Sequence, residues 1–307
     1  MKTFAVIVTY NGMKWIKDCL NSVLDSSIPV SIIVIDNCST DGTVEFIKSN
    51  FHQALLIDQK ENLGFGRANN IGLSIALKES ADYVFLLNQD AFLEKNTIEE
   101  LIKVAQKNTE YGILSPIHKN GNGTELDQSF CHYVGKPSGL NFVSDFVLDN
   151  AKKDVYSVPM INAAAWLIPR ITLETVGGFD PSFFLYGEDD NYCQRVLYHN
   201  FKIGIVPIVF IKHDSQNNYT KPMVKGSEKY YAKYINNFKV CYGDVSTDNY
   251  RDIGRIKYLL LKQIIINLLK FNLVDFKINL NKLKLIARED LENKVLYNRR
   301  KGTTYLK

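Results

Sequence analysis

The 307-residue sequence is poor in cysteine: Cys19, Cys38, Cys131, Cys193 and Cys241 are odd in number, far apart, and never form C-x-x-C. That argues against a disulfide framework and against a cysteine zinc site, and for a reducing compartment. Long apolar runs are missing too. After Met1-Lys2-Thr3 the run "FAVIV" is too short for a signal-peptide core, and no later stretch reaches the length of a membrane span. The expected location is therefore cytoplasmic. Internal repeats and low-complexity tracts are absent. What is present, 46% hydrophobic and 23% charged residues, is the balance of an ordinary globular chain. Its length suits one large domain with an appendage.

The net charge of +4 hides an asymmetry. Residues 251–307 hold 14 Lys/Arg against 5 Asp/Glu, which leaves the first 250 residues acidic. Within the basic part, "IKYLLLKQIIINLLKF" interleaves lysines with bulky aliphatics. Such a segment can lie peripherally on an anionic membrane surface, at the inner face of the cell membrane. It can equally pack on its own domain with the lysines snorkelling outward, and its polar residues gather on no single clean face. No nucleic-acid partner is expected.

Along the first 115 residues, strand-like and helix-like patterns alternate. "TFAVIVTY" precedes "MKWIKDCLNSVLDS", "SIIVIDN" precedes "TVEFIKSN", "ALLIDQ" precedes "GRANNIGLSIALKES", and "DYVFLLNQD" precedes "NTIEELIKVAQKN". Short apolar strands alternating with helices predict βα units and a mainly parallel sheet covered on both faces. Ligands of such sheets bind beyond the carboxyl ends of the strands, where "TYNG", "DNCSTDGT" and "NQD" fall. Residues 116–157 read as loops with short strands, and "VPMINAAAWLIPR" as a strand or buried segment. A helix is expected from about Glu188, a strand ending at His213, and mainly helix after Ser227. These patterns divide the chain into a domain over 1–225 and a basic helical extension over 226–307.

Several polar residues carry chemistry in this frame. Asp36 closes an apolar strand, so its carboxylate can accept a hydrogen bond from a base N–H or a ribose hydroxyl. Ser39 and Asp41 read as turn and cap residues. "ENLGFGRANNIG" lacks the third glycine of a dinucleotide fingerprint, but Gly64 and Gly66 would let the backbone approach a ligand at a helix N-terminus, with Arg67 adding positive charge. In "VFLLNQDAFL", Asn88 and Asp90 are two residues apart, which on a strand places them on one face. Oxygen ligands of that kind suit a hard divalent cation on phosphate. Glu188, Asp189 and Asp190 stack carboxylates at a helix start. There they complement the helix dipole, and their mutual repulsion can also raise a pKa for general-base work. His213 reads either as structural or as completing a metal shell.

Taken together and in order, "VIVTYNG", "VIDNCSTDGT", "NLGFGRANNIG", "LLNQDA", "NAAAWLIPR", "GGFDPSFFLYGEDD" and "KHDS" resemble family 2 of the glycosyltransferases over roughly residues 3–215, most of all its bacterial rhamnosyltransferase-like members. The resemblance implies the GT-A nucleotide-diphospho-sugar transferase fold, a Rossmann-like mixed, mainly parallel sheet flanked by helices, here with a C-terminal helical extension. It implies an inverting, metal-dependent transfer of a sugar from a dTDP- or UDP-sugar to a surface polysaccharide or lipid-linked glycan acceptor. Thr9, Tyr10, Asn11, Asp36, Asn62, Gly64, Gly66, Arg67 and Asn88 would then bind the nucleotide. Asp90 and His213 would hold Mg²⁺ or Mn²⁺, with Asp189 as base and Glu188 beside it. Trp166 and Asp190 would meet the acceptor. One departure stands out: the family's E-D-x-D reads "EDDN" here, with Asn191 in the last place. Two other readings stay open. A sugar-1-phosphate nucleotidyltransferase is disfavoured because "TYNGMKW" stands where its Gly-rich Lys/Arg loop belongs. A non-catalytic nucleotide-sugar or glycan-binding protein would keep the fold without turnover.

Overall fold

The computed structural model describes residues 1–215 and 223–307. By internal contacts the chain divides into two units, Met1–Asn217 together with Lys301–Lys307, and Asn218–Arg300.

The first unit is built on one mixed sheet. Its strands are β1 (Thr3–Thr9), β2 (Ser31–Asp36), β3 (Leu55–Asp58), β4 (Tyr83–Asn88), β5 (Ala91–Leu93), β6 (Tyr111–Asn120), β7 (Tyr156–Ser157), β8 (Ala165–Pro169) and β9 (Lys202–His213). They lie in the order β3-β2-β1-β4-β8-β6-β9-β5, with β7 paired to β9. The half β3-β2-β1-β4 is parallel, as the alternating pattern of the first 115 residues predicts. β8 then enters antiparallel between β4 and β6, and β6 runs parallel to β9. The register between β6 and β9 slips around Pro116, a residue with no N–H to give to a ladder.

Strand alternation splits the core in two. Val6, Ile33, Ile35, Val84 and Leu86 face one side, while Ala5, Ile7, Ile32, Val34, Phe85 and Leu87 face the other. The helices of this unit are α1 (Ile16–Leu24), α2 (Thr43–Asn50), α3 (Phe65–Lys78), α4 (Thr97–Lys107), α5 (Gln128–Val134), α6 (Leu140–Val147), α7 (Arg170–Val176) and α8 (Glu188–Tyr198). Ala68 and Leu73 of α3 and Tyr192 and Val196 of α8 close the first side. Ile16 and Leu20 of α1 and Ile98 and Leu101 of α4 close the second.

Two expectations change. Residues 116–157 are not mainly loop: β6 continues to Asn120, and α5 and α6 follow. Asp127 starts α5 by accepting the Phe130 N–H at 3.0 Å, a cap hidden in a polar stretch. The last seven residues also leave the helical extension and pack with the first unit. Gly178 N–H donates to Thr304 O (2.7 Å), Gly302 N–H to Thr175 O (2.9 Å), and Leu306 joins the core.

The second unit contains α9 (Glu228–Tyr242), α10 (Ile253–Leu269), α11 (Leu273–Ala287) and α12 (Leu291–Asn298) around a small core of Phe238, Tyr250, Ile286, Leu291 and Val295. Among the described residues no helix is long and apolar enough to cross a membrane.

Candidate active site

The carboxyl ends of β1, β2 and β4 meet through side chains that the intervening turns supply. Gln89, immediately after β4, accepts from Thr9 Oγ1 (2.7 Å) and from Tyr10 N–H (2.9 Å). Asn11 donates its N–H to Ser39 Oγ (2.8 Å) and accepts from Thr40 N–H (2.8 Å). Asn37 joins three segments: its N–H donates to Thr9 O (2.7 Å), its Nδ2 to Asn62 Oδ1 (2.8 Å), and its Oδ1 accepts from Leu63 N–H (2.7 Å). These bonds fix the floor of the cleft to which the nucleotide residues were assigned.

Within that floor the assigned residues differ in access. Tyr10 and Arg67 are exposed, whereas Thr9 is fully buried with its hydroxyl committed to Gln89. The Thr9 side chain therefore supports the cleft and cannot itself reach a base. Asp36 is also buried. Its Oδ2 accepts from Ser39 N–H (2.8 Å), while its Oδ1 has no partner among the described residues. Asn62 accepts from Gly64 N–H (2.9 Å) as well as from Asn37 and holds the turn.

The glycines do something other than the sequence suggested. Gly64 has φ +80, and a Cβ there would lie 2.1 Å from Phe184 O; a Cβ on Gly66 would lie 2.9 Å from the Phe179 Cβ. Their bareness admits the 179–184 segment rather than a ligand. Arg67 Nε donates to Pro181 O (3.0 Å) and fastens the same segment. The close approach brings α3 against the start of α8, where a Gly66 Cβ would be 3.7 Å from that of Glu188.

At the β4 end, Asn88 is the last strand residue and Asp90 lies in the following turn, so shared strand alternation does not extend to the pair. Asn88 Oδ1 is buried without a partner among the described residues. Asp90 faces the end of β9 instead: its Oδ1 is 3.4 Å from His213 Nε2. On the other side of the imidazole, His213 Nδ1 is 3.4 Å from Asp127 Oδ2. Burial would lower the His213 pKa, but the two carboxylates raise it to about 9. Burial would likewise raise Asp127, but the His213 imidazole 3.4 Å away and hydrogen bonds from Phe130 N–H and Ser215 Oγ hold it down at about 2. The neighbouring His118, bonded to Ser115 Oγ (3.0 Å), is pushed down to about 3 by burial and by His213. Asp214 is taken by Lys14 Nζ (2.8 Å) and Trp15 Nε1 (2.7 Å).

Asp127 was missed by sequence reasoning, because its helix was. Its signal was the cap pattern "LDQSF", an aspartate before a short helix. Among the described residues no three Asp, Glu, His or Cys side chains converge to enclose a metal ion by themselves. Asp90 and His213 converge as a pair and fit two places in the shell of a hard-to-borderline divalent cation.

The third cluster begins α8. Tyr186 (φ +68) and Gly187 (φ +94) are both left-handed and turn the chain into the helix at Glu188. Glu188 is buried, with Oε2 unpartnered among the described residues, while Asp189 and Asp190 are partly exposed. Burial raises the Asp189 pKa, and the Glu188 and Asp190 carboxylates raise it further. Burial raises Glu188 and Asp190 in the same direction. Asn191 is itself buried, so an amide in the fourth position spares the helix start one more buried charge. Further along α8, the fully buried Arg195 donates to Gly178 O (2.5 Å), Thr304 Oγ1 (2.9 Å) and Val176 O.

Trp166 is a correction. It is fully buried on a central strand, stacked on Phe179 (6.1 Å, 14°) and beside Tyr192 (5.8 Å). No acceptor sugar reaches it. The exposed rings next to the carboxylates are Phe184 and Tyr186.

Comparison with known proteins decides what this cleft belongs to. Residues 4–160, just over half of the chain, match Glycosyl transferase family 2. The chain belongs to that family. The match spans Asp36, Asp90 and Asp127; the α8 carboxylates and His213 lie beyond it. The transferase is 26% identical over 85% of its length to the low-salt glycan biosynthesis hexosyltransferase Agl10 of Haloferax volcanii, covering 80% of that protein. It is also 26% identical over 68% of its length to N-acetylglucosaminyl-diphospho-decaprenol L-rhamnosyltransferase of Mycobacterium tuberculosis, covering 74% of that protein. The solved structure of S. aureus TarS 1-349 in complex with UDP-GlcNAc aligns with 97% of this chain and 87% of its own, with a TM-score of 0.55 at 16% identity. The fold is GT-A, and the protein is a glycosyltransferase.

Proposed function

We propose that this transferase moves a sugar, with inversion, from a nucleotide-diphosphate donor to a lipid-linked or surface-polysaccharide acceptor, with a divalent cation at Asp90 and His213. The single observation that carries the metal part is the pairing of Asp90 Oδ1 with His213 Nε2, backed at Nδ1 by Asp127. A carboxylate behind a ligating imidazole fixes its tautomer and orientation, and Asp127 is the positioning residue in that sense. Bound Mg²⁺ or Mn²⁺ would supply positive charge to the departing diphosphate.

The chain's own groups account for the rest. Asp36, with one unpartnered buried oxygen, and exposed Tyr10 bind the base and ribose side of the donor, with Asn11, Asn62 and Asn88 shaping and lining that side. Asp189 takes the proton from the acceptor hydroxyl as its oxygen attacks the anomeric carbon and the bond to the diphosphate breaks. Burial, and then the neighbouring carboxylates, make Asp189 a stronger base than a solvated aspartate. The exposed Tyr186 ring offers the acceptor the aromatic face first assigned to Trp166, with Asp190 as a hydrogen-bonding neighbour. Similarity to an L-rhamnosyltransferase and to the dTDP-rhamnosyl transferase RfbF of Shigella flexneri supports dTDP-rhamnose ahead of UDP-hexoses as donor. Donors of this kind, together with an odd and scattered set of cysteines, support a cytoplasmic reaction.

A donor panel of dTDP-rhamnose and UDP-sugars with Mn²⁺ and lipid-linked acceptors tests the reading through release of nucleotide diphosphate. Turnover with one donor supports it. Tight dTDP or UDP binding with no donor consumed across the panel would instead identify a non-catalytic binding protein.

A further inference from the structure

We infer that the outward face of the α10–α11 hairpin is a docking surface for an anionic lipid bilayer. α10 has two apolar sides. Ile253, Ile256, Leu260 and Ile264 turn inward and are buried or half-buried within the helical unit. Tyr258, Leu261, Ile265, Leu268 and Leu269 are all exposed, and their spacing of three, four, three and one residues places them in a single stripe along the other side. The stripe runs on around the turn into Phe271, 88% exposed, and Val274, 69% exposed. A continuous exposed apolar strip of this length is uncommon on a surface with no partner.

Charge selects the partner. At about 100° per residue, Lys257 and Lys262 fall on the two edges of the stripe. Between Ile253 and Ala287 there are seven Lys/Arg and one acidic residue, Asp275, which Lys225 already holds at 2.5 Å. Two copies meeting through this face would bring like charges together. An anionic leaflet would neutralise them while accepting the apolar stripe to the depth of the headgroup boundary. No described helix can cross a bilayer, so the hairpin lies on the surface. Nothing in this inference depends on the proposed donor, metal or base.

The test uses the full chain and flotation with vesicles of phosphatidylcholine alone or with about a third phosphatidylglycerol. The protein is expected to float with the anionic vesicles, less so as salt rises, and to stay behind with the neutral ones. Replacing Leu269, Phe271 and Val274 together by serine is expected to weaken flotation by roughly tenfold or more with an unchanged thermal midpoint, since all three side chains are exposed. Lys257→Gln with Lys262→Gln is expected to flatten the salt dependence. Absence of wild-type flotation, or equal flotation of the serine variant, overturns the inference. So does a concentration-dependent dimer in sedimentation that the serine variant dissolves, which would make a second copy the occupant.

Discussion

At the scale of single residues, the half-buried carboxylate of Asp189 is the group on which turnover should hinge. Asp189→Asn is expected to lower kcat by about 10²–10⁴-fold while nucleotide affinity, read by calorimetry, stays put. Because burial and its neighbours raise the Asp189 pKa, the rate should climb with pH through a range above that of ordinary carboxylates, where the base form appears. Glu188→Gln removes one of those negative neighbours and should move this rising limb to lower pH; a limb that does not move would separate Glu188 from the base. Tyr186→Ala should raise the acceptor KM with little change in the donor KM, whereas Trp166 substitutions should act on stability alone. Asp127→Asn keeps an N-cap acceptor for Phe130 but loses the charge behind His213. It should cost about 10–100-fold in Mn²⁺ affinity, measured calorimetrically with nucleoside diphosphate present. These residues were unequally legible. Asp36 and Asp90 stood out because one closes an apolar strand and the other follows just after one. Trp166 misled because "NAAAWLIPR" is apolar on both sides, so the sequence does not say which way its ring turns.

At the scale of elements, the turn into α3 shows why a motif can be visible while its purpose is not. "NLGFG" announces a tight helix entry, but the partner that demands glycine, Phe184, is 120 residues away in the chain and carries no local trace. Gly64→Ala forces a side chain into a left-handed backbone and onto the Phe184 carbonyl. It should destabilise the fold by about 1–3 kcal/mol, visible as a lowered thermal midpoint, and should displace α8 along with the carboxylates it carries. The short helices α5 and α6 were hidden for another reason: residues 121–150 are rich in Gly, Asn and Ser, and α5 is held by its Asp127 cap and each helix by a buried anchor, Phe130 in α5 and Phe142 in α6. α10 failed the one-face test of amphipathicity because it is apolar on two faces, one inward and one outward.

At the scale of the whole molecule, the alternating βα pattern made the parallel half of the sheet legible, since each short apolar strand is followed at once by its covering helix. The antiparallel entry of β8 was not, because strand order across a sheet is set by contacts distant in sequence. The return of Lys301–Lys307 was also hidden: "KGTTYLK" has no periodicity, and its role rests on Thr304 and Leu306 meeting groups laid down more than a hundred residues earlier. Thr304→Val removes a hydroxyl that accepts from buried Arg195 and donates to Val176 O. A loss of about 1–3 kcal/mol is expected in denaturant unfolding; an unchanged midpoint would mean that Arg195 finds another acceptor.

That closing strand of contacts has a consequence for how the protein is made. Residues 301–307 follow the whole of Asn218–Arg300 in the chain, so a ribosome completes the helical unit before it delivers the groups that finish the first. Until Thr304 emerges, the helix bearing the α8 carboxylates is an unfinished piece with an arginine inside it. The larger unit is therefore begun before the helical one and completed only after it.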